Sequence, residues 1–243
     1  MMYDDELEKA SRIHYSFLPD PIFNEHIDLS SRYRPIQTLG GDYCSAFWLT
    51  EDRLAICMCD VVGHGVASAL YAARVNTFVL AHARRVSHPC KLMTGLNHFL
   101  RAKLADVGVY TTFFTAFIDL DAMRLDYVNA AHPPAVWYSS THDECKLLQP
   151  ETTLLGFTEI PALECPPRSL PLQSGDRLLL YTDGLIERPP TSDPSHGLDL
   201  LQAFARENAQ LNSSDFCDAL FQSTDQTFGH PHDDQLILAL AIR

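Results

Sequence analysis

The chain is short of positive charge. Lys and Arg number 18 against 31 Asp and Glu, a net charge of −13, which disfavours general binding to nucleic acid or to an anionic membrane surface. Its 7 cysteines include no Cys-x-x-Cys pair. The odd count, with Cys57 and Cys59 as small apolar fillers on one predicted strand, fits the reduced usage of a cytoplasmic protein. Asp4, Asp5 and Glu6 charge the start, so no secretory signal is expected there. No apolar run approaches the length that spans a bilayer, and no Gly-x-Ser-x-Gly offers a nucleophilic serine. Acid is missing from one region: residues 61–105 hold Arg74, Arg84, Arg85, Lys91, Arg101 and Lys103 but no Asp or Glu. Either these cations pair with acids elsewhere in the chain, or Arg84 and Arg85 belong to a docking face for an acidic protein partner.

What is present is apolar material for a core. Hydrophobic residues make up 46% of the 243, enough for one large domain or two small ones and too many for wholesale disorder. Residues 4–18 repeat apolar positions at helical spacing and stop at Pro19 and Pro21. This segment reads either as a first helix packed on its own domain or as a linker or dimerisation helix. Strands are expected over 29–36, 43–49, 54–59, 111–120, 124–129, 135–139, 177–182 and 236–242. Helices are expected over 66–86, 90–105, 198–208 and 214–227, with loop over 149–171 and from Arg188 to Ser195. Short turns between strands and helices in pairs predict an α+β domain with mostly antiparallel sheets, not a doubly wound fold. No internal repeat and no second domain boundary is visible.

The stretch Leu54-Ala-Ile-Cys-Met-Cys-Asp-Val-Val-Gly-His-Gly-Val66 organises the rest. A buried strand ends at Asp60, turns on Gly63-His64-Gly65, and gives way to a small-residue helix. The same grammar recurs at Asp183-Gly184, at Gly40-Gly41-Asp42 and at Asp233-Asp234 before the last apolar run. One Asp beside a glycine is usually a turn residue; four at strand ends can meet at one sheet edge. Asp233 and Asp234 cannot both point the same way on an extended chain, so one is a ligand candidate and the other a supporting residue. Clustered carboxylates repel unless a cation neutralises them. Oxygen donors alone favour Mg²⁺ or Mn²⁺ over Zn²⁺, and two such ions activate a water for in-line attack on phosphorus. A competing zinc reading rests on His230-Pro-His232 and lacks a second histidine group. His64 and His132 adjoin tight turns, as structural or supporting hydrogen-bond partners.

The ordered set Gly40-Gly-Asp-Tyr43, Asp60-Val-Val-Gly-His-Gly65, Asn129-Ala-Ala-His-Pro-Pro134, Leu155-Gly156, Tyr181-Thr-Asp-Gly-Leu-Ile-Glu187 and Asp233-Asp-Gln235 closely resembles the SpoIIE/RsbU-type branch of the bacterial protein phosphatase 2C superfamily, metal-dependent serine/threonine phosphatases. The resemblance implies a central antiparallel β-sandwich flanked on both faces by pairs of helices. It implies a linker and dimerisation helix over 1–20, hence a possible homodimer, and a phosphatase domain over 21–243. Two Mn²⁺ or Mg²⁺ ions are implied, with Asp42, Asp60, Asp183 and Asp233 as ligands, Asp60 bridging, and the Val61 backbone carbonyl as a further ligand. Asp234, His64 and Gly63 are implied to support them. The implied substrate is a phosphorylated anti-sigma-factor antagonist, and the alternative is a non-catalytic phosphatase-like module that binds a signalling partner. Three positions depart from the family pattern: Ser45 replaces a second acid, Ala131 replaces a glycine, and Leu236 replaces a threonine.

Overall fold

The computed structural model describes residues 2–161, 168–187 and 194–243. The loop expected over 188–195 lies, up to residue 193, outside them. The chain packs as two compact units, each built on one antiparallel sheet with a pair of helices. No second boundary was visible in the sequence because both units are assembled from discontinuous segments.

The first unit comprises Met1–Pro19, Gln37–His132 and Pro150–Pro171. Its five-stranded sheet runs in the order β3 (Tyr43–Trp48), β4 (Arg53–Cys59), β5 (Phe113–Asp119), β6 (Arg124–Ala130) and β9 (Arg168–Pro171). Two helices, α2 (Val66–His82) and α3 (Pro89–Leu104), lie where the sequence predicted them, with the break between them ending at His88-Pro89. Strand alternation turns Ala55, Cys57 and Cys59 toward one core cluster with Val75, Val79, Leu96 and Leu100 of the helices. Cys57 and Cys59 are the buried fillers expected. Burial pushes the Cys57 thiol up to about 12, so it stays protonated. Cys90 is disulfide-bonded, so the expectation of reduced cysteine throughout does not hold there. Helix α1 (Met2–Tyr15) belongs to this unit. His14 on it is buried, and Phe17 just beyond meets Tyr43 edge-on at 6.4 Å. No described helix is long and apolar enough to cross a membrane.

The second unit comprises Asp20–Ile36, Pro133–Gln149 and Leu172–Arg243. Its six strands run β1 (Ile22–Phe23), β2 (Ile27–Arg34), β11 (Gln235–Ile242), β10 (Arg177–Tyr181), β7 (Ala135–Ser139) and β8 (Glu144–Leu148). The final apolar run becomes β11, hydrogen-bonded on both sides by β2 and β10; successive residues on both of its faces are buried, which is why it lacks polar alternation. Helices α4 (Pro194–Glu207) and α5 (Ser213–Phe228) share a core with Leu179, Tyr181, Ile237 and Ala239. Asn212 caps α5 by accepting the Asp215 N–H at 2.8 Å. The fully buried Arg177 places its guanidinium 4.4 Å over the Phe216 ring and donates to the Ala209 and Leu211 carbonyls. It thereby satisfies carbonyls of the α4–α5 connection that burial would otherwise leave exposed to loss.

Candidate active site

In the first unit the two aspartates stand at the end of one strand pair. The β3–β4 ladder ends with Tyr43 opposite Cys59, and Asp42 and Asp60 are the residues that adjoin that last pair. Asp42 is buried and Asp60 is partly so. The Gly40-Gly41 turn is explained by close approach: a Cβ on Gly41 would lie 2.8 Å from the Val61 carbonyl oxygen and 3.1 Å from the Ser68 Cβ. The backbone around Asp60 is held on both sides. Its N–H donates to Thr112 Oγ1 at 3.0 Å, and its carbonyl accepts from Thr111 Oγ1 at 2.8 Å and the Thr112 N–H at 2.9 Å. Thr112 Oγ1 in turn lies 2.8 Å from His132 Nδ1, and the His132 N–H donates to Asn129 Oδ1 at 2.9 Å. His132 is thus a buried supporting residue. Thr111 and Thr112 were not singled out in the sequence, where they read only as the start of a β-rich run.

In the second unit the device is different. Strand β10 ends at Tyr181, and a single 3₁₀ turn, Asp183–Leu185, follows. A Cβ on Gly184 would overlap the Asp234 carbonyl oxygen and come within 3.0 Å of the Asp233 carbonyl carbon. Glycine is therefore required after Asp183 so that the 233–234 peptide can lie against it. Gln235 Nε2 donates to the Gly184 carbonyl at 2.9 Å, and the Leu236 N–H donates to Thr182 Oγ1 at 2.9 Å. Asp183 is pushed up to about 6, first by burial and then by the neighbouring Glu187 and Asp233 carboxylates, against the lowering effect of the Gly184 N–H.

The two adjacent acids separate as strand geometry requires. Asp234 is buried and accepts from the Ile36 N–H at 2.7 Å and from Tyr33 Oη at 3.2 Å. Asp233 is exposed and accepts the Asp234 N–H at 2.8 Å. His64 is exposed between Gly63 and Gly65, at φ +97° and +85°. His230 and His232 are exposed. Among the described residues no three His, Cys, Asp or Glu side chains form a metal-holding group. Asp42 and Asp60 belong to the first unit, Asp183 and Asp233 to the second.

The departures also find places. Ser45 is buried and contacts Tyr43 Oη at 2.7 Å, so it is a core hydrogen-bond partner. Ala131 stands at φ +52°, the left-handed region where glycine is unstrained. Leu236 is fully buried in β11.

A family model described as Stage II sporulation protein E (SpoIIE) matches residues 50–243. The chain belongs to the SpoIIE family. Within reach of this SpoIIE-family sequence, the phosphoserine phosphatase RsbP of Bacillus subtilis (strain 168) is 33% identical over 185 residues, covering 75% of this chain and 45% of that protein. The phosphoserine phosphatase RsbU of the same strain is 24% identical over 183 residues, covering 75% and 53%. The chain thus spans about half the length of these curated relatives. The fold is that of the SiaA-PP2C domain of Pseudomonas aeruginosa, with a TM-score of 0.83 at 19% identity over 100% of this chain and 98% of that one. The α+β expectation and the family resemblance both hold.

Arg84 and Arg85, the candidate docking residues, lie exposed in a 3₁₀ turn after α2. Arg84 donates to the Trp48 carbonyl at 3.0 Å. Of the six cations in the acid-free region, only Arg101 forms an ion pair among the described residues, with Glu159 at 3.4 Å.

Proposed function

We propose that this SpoIIE-family chain is a Mn²⁺- or Mg²⁺-dependent protein serine/threonine phosphatase acting on a regulatory phosphoprotein of the anti-sigma-factor antagonist class. Asp42, Asp60, the Val61 carbonyl, Asp183 and Asp233 would hold the two ions. The donor set fits: it is all oxygen, as hard divalent cations need, and the raised Asp183 marks a carboxylate that a cation would relieve. When bound, the ions supply the activation of a water and neutralise charge on the phosphoryl oxygens.

The chain's own residues do the positioning. Thr111 and Thr112 clamp both backbone polar groups of Asp60, which fixes the direction of the carboxylate and of the next carbonyl. Asp234 spends its carboxylate on Ile36 and Tyr33, which leaves Asp233 to face outward. His64 and Gly63 form the turn after Asp60, and we assign them a supporting role there. The observation that carries this reading is that Asp42 and Asp60 adjoin the last pair of the β3–β4 ladder, beside a Gly41 packed on the Val61 carbonyl. RsbP and RsbU are named phosphoserine phosphatases, and that chemistry supports the same activity here.

The test is phosphate release from phosphorylated antagonist proteins with Mn²⁺ titrated, alongside calorimetric Mn²⁺ binding. Release that rises with Mn²⁺ and disappears with chelator is the expected result. Mn²⁺ binding without release from any phosphoprotein would favour the non-catalytic binding module instead.

A further inference from the structure

Beyond the end of the five-stranded sheet, three short segments run side by side. Val61 bridges Thr111 and Thr111 bridges Leu155, both antiparallel. The Val62 N–H donates to the Tyr110 carbonyl at 2.9 Å, and Thr111 and Leu155 exchange N–H···O bonds of 3.2 and 2.9 Å. Val61, Thr111 and Leu155 are completely buried. Alternation turns the residues beside them to the opposite face. There Val62 is 54% exposed beside Tyr110; Phe157, in the turn that follows Leu155-Gly156, is 63% exposed and meets Tyr110 edge-on at a centroid distance of 5.2 Å.

Phe157 is not a loose loop tip. Asn97 of α3 accepts the Gly156 N–H at 2.8 Å and donates to the Thr158 carbonyl at 2.9 Å, so the residues on both sides of the ring are pinned. The ring is held out to water by a buried amide that does nothing else. Scattered exposed apolar residues need no explanation, but this row begins two residues after Asp60. On an extended segment Asp60 and Val62 share a face, with the buried Val61 on the other.

We propose that Val62, Tyr110 and Phe157 form a docking step for an apolar side chain next to the phosphorylated residue of the protein substrate. The occupant is fixed by continuity: Val62 shares the Asp60 face, Tyr110 pairs beside it and Phe157 leans on Tyr110, and the three carry no charge, so an apolar flank fits and a charged one does not. A rigid aromatic anchor is also the kind of residue that concentrates binding energy. The inference rests on the reading of Asp60 as a ligand in a phosphatase.

The experiment compares two synthetic phosphoserine peptides, one with leucine and one with asparagine on both sides of the phosphoserine, and para-nitrophenyl phosphate as a third substrate, all with Mn²⁺. The wild-type kcat/KM is expected to favour the leucine peptide by about tenfold or more. Phe157→Ser should bring that ratio close to one. Leu80→Ser, which removes an exposed apolar residue of α2 outside the row, should keep it. A ratio near one in the wild type, or an unchanged ratio in Phe157→Ser, overturns the docking step. So does hydrolysis of para-nitrophenyl phosphate with neither peptide cleaved, which leaves the phosphatase reading standing. No Mn²⁺-dependent release from any of the three overturns both.

Discussion

The two aspartate pairs are held by different physical means. Asp42 and Asp60 adjoin the end of a regular antiparallel ladder, and hydroxyls of Thr111 and Thr112 clamp the Asp60 backbone. Asp183 and Asp233 depend on a glycine: the 233–234 peptide packs where any side chain on residue 184 would stand. The first pair also needs a glycine, Gly41, but its Asp60 backbone is held by hydroxyls, so changes at Thr111 and Thr112 that keep a donor and an acceptor are expected to be tolerated. The second is supported by absence of volume and tolerates none. The second is also under electrostatic load, since burial and two neighbouring acids raise Asp183.

The largest effect should come from the proposed ligands. Asp60→Asn is expected to lower turnover by more than about a hundredfold, beyond the range for loss of an outer partner, with the fold intact by circular dichroism. Near-wild-type turnover at saturating Mn²⁺ would remove the ligand role.

The next prediction sets the two kinds of support against each other. Gly184→Ala should weaken Mn²⁺ binding and turnover by about 10–100-fold, because the 233–234 peptide must move. Thr112→Val, which leaves the Asp60 N–H without its acceptor, should fall in the same range, while Thr112→Ser restores the wild-type value. Equal tolerance of alanine at 184 and serine at 112 would erase the distinction between the two pairs.

A smaller effect separates the pairs by charge. The folded pKa of Asp183 lies above that of an unfolded aspartate, so its folded state holds more protons between about pH 4 and 6 and its ionisation destabilises the metal-free protein above that window. Asp183→Asn should therefore raise the metal-free Tm by about 2–4 °C at neutral pH while abolishing the rise in Tm that Mn²⁺ gives the wild type. A lower metal-free Tm would contradict the strain assigned to that carboxylate. Below this comes Ala131→Gly, which relieves a left-handed alanine and should stabilise by about 1 kcal/mol or less, read by chemical denaturation. The smallest effect is expected for Arg84→Glu with Arg85→Glu: weaker binding of an acidic phosphoprotein at low salt, fading as salt screens it. Unchanged affinity at low salt would remove the docking role.

Legibility in the sequence tracked burial. The strands over β3, β4, β5, β6, β7, β10 and β11 were expected close to where they lie: all but β3 are interior strands, and interior strands carry apolar runs. Three were missed: Ile22–Phe23, Glu144–Leu148 and Arg168–Pro171. Each is at the edge of its sheet, where one side faces water and polar residues such as Glu144, Lys146 and Ser169 hide the pattern. Helix α4 starts at Pro194, four residues before the apolar periodicity shows it. At the site, the acids were legible from their glycines, but the hydroxyl clamp and the pinned Phe157 were not. Thr112 and Asn97 act on residues 52 and 59 positions away, and no local pattern records such a partner.

The sequence by itself determined the family, the antiparallel α+β class and which aspartates end strands, because glycine turns and apolar runs are local consequences of backbone sterics and burial. Only the tertiary structure decided how those aspartates are held and which neighbours stand beside them. Strand register, the contact of Gly184 with a distant peptide and the exposure of Phe157 all arise from chain segments far apart in sequence. Their meeting is set by packing rather than by the residues next door.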